Sequence, residues 1–116
     1  MGLLDLLRAK PIERSPSERL RLAEEAGGLR LYCSPWCGYC RVVERSIHRL
    51  GLEIEVRDVA SEREAYRDLV EGGGRGQVPC LRIEEGGIVQ WLYESRGIVD
   101  YLHRRFAPVE PAPQNL

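Results

Sequence analysis

The sequence predicts an α/β fold: a four-stranded mixed sheet flanked by helices, with one extra helix in front. Three observations carry that expectation. Leu52, Ile54 and Val56 alternate with Glu53, Glu55 and Arg57 at the period of a half-buried strand. Val42, Val43, Ile47 and Leu50 recur at helical spacing just before it. Two short apolar runs, 79–83 and 88–91, flank Glu84-Glu85-Gly86-Gly87, which reads as a hairpin turn.

The remaining elements follow in order. Residues 1–14 read as a loosely attached lead-in. Ser15 then caps a helix, Pro16 suits its first position, and Glu18 completes a capping box. Leu20, Leu22, Ala23 and Ala26 give this helix an imperfect apolar face, and Gly27-Gly28 stops it. A strand is expected at 29–33, a helix at 38–50 stopped by Gly51, and a strand at 52–57. Ser61 caps a helix running to about Val70, which ends in Gly72-Gly73-Gly74. After the hairpin a last helix, 94–106, buries Ile98, Val99 and Leu102. The first two strands, joined through a helix, should run parallel with a right-handed crossover, and the hairpin adds an antiparallel strand. A helix followed by β-α-β-α-β-β-α is the order of the thioredoxin-like fold. It divides the chain into a lead-in with the extra helix (1–28), the main domain (29–106) and a flexible tail (107–116).

Composition narrows the function. The 116 residues hold 17 Lys and Arg against 18 Asp and Glu, a formal charge of −1 that excludes the basic footprint of a nucleic-acid binder. At 43% hydrophobic residues, a disordered chain is excluded as well. The apolar runs fall far short of the roughly 20 residues that cross a bilayer. The leucine-rich start is interrupted by Asp5 and has no basic region ahead of it, so no signal peptide is expected and a cytoplasmic location is. In such a reducing compartment the clustering of Cys33, Cys37 and Cys40, with Cys80 further on, points to catalysis or metal binding rather than structural bridges.

Cys37-Gly38-Tyr39-Cys40 is a C-x-x-C motif between an expected strand and an expected helix. At a helix N-terminus, free N–H groups and the helix dipole favour a thiolate at Cys37, and Arg41 adds a positive charge nearby. Cys40 follows one turn later on the same face, so the first cysteine can attack a disulfide and the second can resolve the adduct. Half of a zinc site has the same spacing, but it would need partners from Cys33, Cys80, His48 and His103. Cys33 and Cys80 read instead as small buried hydrophobes, and the two histidines as solvated. Trp36 is expected to shield the motif and contact substrate, and Trp91 to pack in the hairpin. Val78-Pro79 heads a strand, where an X-Pro bond is a candidate cis peptide. This loop should face Cys37 and offer the Val78 backbone to an extended peptide.

Two segments carry a resemblance. Leu31-Tyr32-Cys33-Ser34-Pro35-Trp36-Cys37-Gly38-Tyr39-Cys40 resembles the active-site segment of glutaredoxins. Gln77-Val78-Pro79-Cys80-Leu81, followed by Leu92-Tyr93-Glu94-Ser95-Arg96-Gly97-Ile98, is similar to the amino-terminal domain of glutathione S-transferases. Both families share the thioredoxin-like fold and bind glutathione in one groove. The resemblance covers residues 29–106. It implies Cys37 as the nucleophile and Cys40 as the resolving thiol. It also implies Tyr39 beside the glutathione sulfur, Val78 pairing with the cysteinyl backbone, Pro79 as the cis-proline, and Glu94 and Ser95 holding the γ-glutamyl end.

The departures are Ser34 in place of a usual lysine, and Gly76 where a basic residue is common, with Arg75 one place earlier. The helical domain of a glutathione S-transferase is not in the sequence, so conjugation is not expected as the main activity. The expectation is a glutathione-dependent thiol–disulfide oxidoreductase acting on protein disulfides or glutathione mixed disulfides. It would be monomeric, with glutathione as co-substrate, no tightly bound cofactor, and no nucleic-acid or membrane partner. A second reading, suggested by Gly38, is a carrier whose Cys37 bridges a [2Fe–2S] cluster in a dimer, or a non-enzymatic glutathione-binding module. Cys33, Cys37 and Cys40 also match the spacing of radical S-adenosylmethionine enzymes, but the chain has too few strand–helix units for their barrel.

Overall fold

A computed structural model describes residues 11–108. Its elements are α1 (Pro16–Ala26), β1 (Leu29–Cys33), α2 (Gly38–Arg49), β2 (Glu55–Asp58), α3 (Arg63–Asp68) continuing into a π-helical turn (Leu69–Gly73), β3 (Cys80–Glu85), β4 (Ile88–Tyr93) and α4 (Ser95–Phe106). The sheet order is β2-β1-β3-β4. β1 and β2 run parallel, and both other pairings are antiparallel. The fold class read from the sequence is the one observed.

One face of the sheet carries the main core. Leu29, Leu31 and Cys33 of β1 and Leu81 and Ile83 of β3 meet Cys40, Val43 and Ile47 of α2 and Ile98, Leu102 and Phe106 of α4. The period-2 pattern of the strands and the helical spacing of α2 and α4 each turn one stripe into this layer. The opposite face buries Tyr32 and Cys80 beneath Ala65 and Leu69, with Trp91 and Tyr93 packed alongside.

At α1 the capping box forms as expected: Ser15 Oγ accepts from the Glu18 N–H at 3.2 Å, and the Glu18 carboxylate accepts from the Ser15 N–H at 3.2 Å. The expected apolar face is narrower. Leu22 and Ala26 are buried, whereas Leu20 is 73% exposed because it points away from the sheet. Leu22 joins the main core, so α1 packs onto the body of the fold. The lead-in is also tied down from residue 12 onward. The Ile12 N–H donates to the Arg49 carbonyl at 2.9 Å. The Arg14 guanidinium donates to the carbonyls of Leu50 (3.0 Å) and Phe106 (2.6 Å), at the carboxyl ends of α2 and α4. Residues 1–10, and the tail beyond Pro108, lie outside the described residues.

Several boundaries differ from expectation for physical reasons. β2 begins at Glu55, not Leu52: the Leu52 N–H bonds back to the Ile47 carbonyl, which keeps that residue at the end of α2. On this edge strand Val56 is 45% exposed, so the apolar alternation does not mark a buried face there. Ser61 does not cap α3. Its hydroxyl bonds to Asp58, and Glu62 occupies the cap position with its carboxylate turned back to Arg57 and the Asp58 N–H rather than capping the helix. Val42 lies on the open side of α2. Past Val70 the chain does not break but winds on as a π-turn through Gly73. A Cβ at Gly72 would collide with the Trp91 ring, and one at Gly73 with the Tyr93 hydroxyl, so only glycines let this turn lie against β4. The hairpin is longer than expected, with Gly86 (φ 57°) and Gly87 (φ 79°) alone forming the turn. Positive φ at both central residues suits the twist of the flanking strands.

Candidate active site

The sheet register brings the candidate residues to one end of the molecule. Tyr32 of β1 lies opposite Cys80 of β3, and Cys80 lies opposite Tyr93 of β4. The loop leaving β1 toward Cys37, the Val78-Pro79 turn entering β3, and Glu94-Ser95 leaving β4 therefore emerge side by side. This is the carboxyl end of the parallel strands, where open α/β sheets place their ligands.

Cys37 is the N-cap of α2, with φ −93° and ψ 111°. Its sulfur accepts a hydrogen bond from the Cys40 backbone N–H at 3.2 Å and lies 3.8 Å from the Val78 carbonyl oxygen. It is half-buried, the one thiol of the four with solvent access. Cys40 is fully buried one turn on, beneath Cys37. Burial, and then the contact with Cys37, push its pKa up to about 11. Cys33, at the end of β1, contacts Cys40 from below, and burial drives its thiol far above the ordinary range. Burial likewise pushes Cys80 up to about 12. The site thus has one addressable sulfur and one protonated sulfur behind it, with the other two thiols held inert in the core.

The other candidates fall around this pair. Tyr39 is 70% and Trp36 84% exposed, forming an open aromatic rim rather than a shield. The Val78-Pro79 bond is cis, and Pro79 is buried. Glu94 is the N-cap of α4 in a positive-φ conformation (φ 73°, ψ 125°), and Ser95 is the first residue of that helix. A non-glycine there costs about 1–3 kcal/mol and is held only where the surroundings impose it. Here the Glu94 carbonyl accepts the first turn's bond from Ile98 at 3.1 Å. Nothing in the sequence flagged this backbone.

Arg41 does not turn toward Cys37. Its guanidinium donates to the Ser34 carbonyl (3.2 Å) and pairs with Glu44 (2.8 Å), bracing the loop ahead of the motif. Trp91 packs against Tyr32 with ring centroids 5.5 Å apart, as the hairpin reading expected. His48 is exposed and His103 half-buried. Among the described residues no three His, Cys, Asp or Glu side chains converge as a zinc site requires.

Sequence reasoning missed Tyr93 as part of this end of the fold. Its hydroxyl accepts from the Arg75 N–H at 3.3 Å and donates to the Arg75 carbonyl at 2.8 Å. The Arg75 guanidinium lies 4.4 Å above its ring. The signal available was the β4 register, which sets Tyr93 beside the glycine-rich segment.

Comparison with known proteins extends this geometry. Residues 31–111 match the family described as glutathione S-transferase, N-terminal domain. No curated protein matches the chain. Among solved structures, a maleylacetoacetate isomerase from Anaeromyxobacter dehalogenans with bound GSH in its active site is 27% identical (TM-score 0.55), the alignment covering 75% of this chain and 42% of that one. The holo form of glutaredoxin C1 from Populus tremula x tremuloides is 22% identical (TM-score 0.50, 77% and 88% covered). The thioredoxin-like protein BC3987 is 19% identical (TM-score 0.53, 66% and 91% covered). The last two establish the thioredoxin-like fold. This chain spans about two-fifths of the isomerase.

Proposed function

The chain belongs to the glutathione S-transferase N-terminal-domain family, and on that premise we propose that it is a glutathione-dependent thiol–disulfide oxidoreductase of glutaredoxin type. The observation that carries the reading is the pairing of a solvent-accessible Cys37 at the N-terminus of α2, 3.8 Å from the Val78 carbonyl, with a buried Cys40 beneath it. In a transferase-type site a single activating group suffices; a second thiol stacked under the first serves disulfide chemistry.

Cys37, as thiolate, attacks the glutathione sulfur of a mixed disulfide and expels the target's sulfur as a thiolate, which takes a proton from solvent. The backbone N–H of Cys40 supports the anionic sulfur from the helix end. Cys37 is left in a mixed disulfide with glutathione. Either a second glutathione thiolate attacks the glutathione sulfur and releases glutathione disulfide, or Cys40 attacks Cys37 and releases glutathione. Burial raises the Cys40 thiol above its ordinary range and makes it a slow nucleophile at neutral pH, which favours the first route.

Around that sulfur, Tyr39 flanks the tripeptide and Val78 pairs with its cysteinyl backbone beside Pro79. Glu94 and Ser95 at the start of α4 receive the γ-glutamyl end, where free helix N–H groups suit a carboxylate. Protein substrates meet the exposed Trp36 and Tyr39. A cytoplasmic, reducing setting suits four free thiols. No described helix is long and apolar enough to cross a membrane. A second reading rests on the same accessibility. A [2Fe–2S] centre shared between two chains would be held by Cys37, the one thiol at the surface, and would supply electron transfer or cluster transfer when bound.

The test is trapping. Cys40→Ser incubated with glutathione disulfide should gain one glutathione, mapped by mass spectrometry to Cys37. Absence of the adduct contradicts the reading.

A further inference from the structure

We propose that Tyr93 is a positioning residue that sets the glutathione-facing turn, holding the Gly74–Val78 segment in register with Cys37. The inference rests on the glutathione reading above for its effect on substrate, but not for the hold itself.

The segment between the π-turn and Pro79 has little to fix it. Gly74 sits at φ 94° and Gly76 offers no side chain, while Arg75, Gly76 and Gln77 are all exposed. Backbone this open is ordinarily mobile. Yet three residues after Arg75 the Val78 carbonyl must stand 3.8 Å from the Cys37 sulfur. The Tyr66 ring lies against Gly76 and the Gly74 N–H donates to the Val70 carbonyl at 2.9 Å, but one side chain grips the backbone itself by hydrogen bonds. The Tyr93 hydroxyl closes on both backbone groups of Arg75, accepting from its N–H (3.3 Å) and donating to its carbonyl (2.8 Å). The same ring carries the Arg75 guanidinium at 4.4 Å, and that cation has no carboxylate partner among the described residues.

Tyr93 is itself rigid. It is paired in the ladder opposite Cys80, packed with the second core, and its hydroxyl lies where a Cβ on Gly73 would fall. It also directly precedes Glu94. A single residue of β4 therefore ties the turn before β3 to the start of α4, the two walls proposed to receive the tripeptide. The stacked guanidinium belongs to an exposed residue, where it suits a carboxylate of an extended peptide.

Tyr93→Phe isolates the hold, because it removes the hydroxyl and keeps the ring beneath Arg75. Hydrogen exchange read by mass spectrometry should show residues 75–78 exchanging about tenfold faster than in the wild type, with α2 unchanged. KM for glutathione should rise roughly three- to tenfold, as the loss of two modest hydrogen bonds permits, while alkylation of Cys37 by iodoacetamide stays within about twofold. Unchanged exchange at 75–78 overturns the proposal. So does equal acceleration throughout the protein, which is what a merely structural role produces. Wild-type protein without glutathione turnover overturns the functional reading, and the exchange result then decides the hold independently.

Discussion

The Cys37 sulfur lies 3.8 Å from the carbonyl oxygen of Val78, although the two residues are 41 positions apart in the chain. The contact joins the first turn of α2 to the turn entering β3. It exists because β1 and β3 pair antiparallel, bringing the end of one strand beside the beginning of the other. In the proposed reaction a substrate sulfur would approach Cys37 beside this backbone, whose position is set by main chain rather than by a flexible side chain.

Thiol reactivity should be graded by burial. Iodoacetamide at neutral pH should modify one thiol per native chain, Cys37, with Cys33, Cys40 and Cys80 reacting only after unfolding. Peptide mapping after a timed pulse checks this. Comparable labelling of Cys40 in the native state would contradict the stacked arrangement.

Alkaline pH should destabilise the fold. Burial raises Cys40 to about 11 and Cys80 to about 12 in the folded protein, above an unfolded thiol near ~8.5. Between these values the unfolded chain has released protons that the folded chain retains. The stabilisation is therefore complete below the unfolded pKa and is lost as pH rises through the folded ones. Urea midpoints measured from about pH 8 to 12 should fall, and Cys80→Ala should flatten part of that slope.

Arg14 should matter for stability although it lies far from the chemistry. Its side chain is 3% exposed and bonds the terminal carbonyls of both α2 and α4. A cation at two helix carboxyl ends offsets their dipoles and satisfies acceptors that lack intrahelical partners. Arg14→Met should cost about 2–3 kcal/mol by chemical denaturation. A change under about 0.5 kcal/mol would place it among ordinary surface contacts.

Glycine substitutions should separate by position. Gly38, at the first position of α2, has open space where a methyl group would go and an ordinary φ, so Gly38→Ala should be neutral or add up to about 1 kcal/mol. Gly73→Ala would drive a methyl into the Tyr93 hydroxyl and should cost about 1–3 kcal/mol. Thermal denaturation of the two variants compares them directly; equal effects would contradict the packing of the π-turn on β4.

The fold was legible where local chemistry and tertiary packing agree. The capping box at Ser15–Glu18 and the Gly86-Gly87 turn specify their own geometry, and the Cys37–Cys40 motif announced itself by falling between a strand and a helix. What stayed hidden depends on partners distant in sequence. Val56 alternates like a buried strand residue but lies on an edge strand, where it stays 45% exposed. The run Gly72-Gly73-Gly74 reads locally as a helix stop, yet it winds on because Trp91 and Tyr93 occupy the space side chains would need. Arg14 looks like lead-in until the ends of α2 and α4 are seen to converge on it. Glu94's positive φ is imposed by the junction of β4 with α4 and has no local sequence signature.

The central claim is tested most directly by glutathione-coupled reduction of a small mixed disulfide with the wild type, Cys37→Ser and Cys40→Ser side by side. The account predicts activity abolished in Cys37→Ser and retained in Cys40→Ser, since a second glutathione can regenerate Cys37. Reduced wild-type protein that is inactive, or a Cys37→Ser variant as active as wild type, would contradict it.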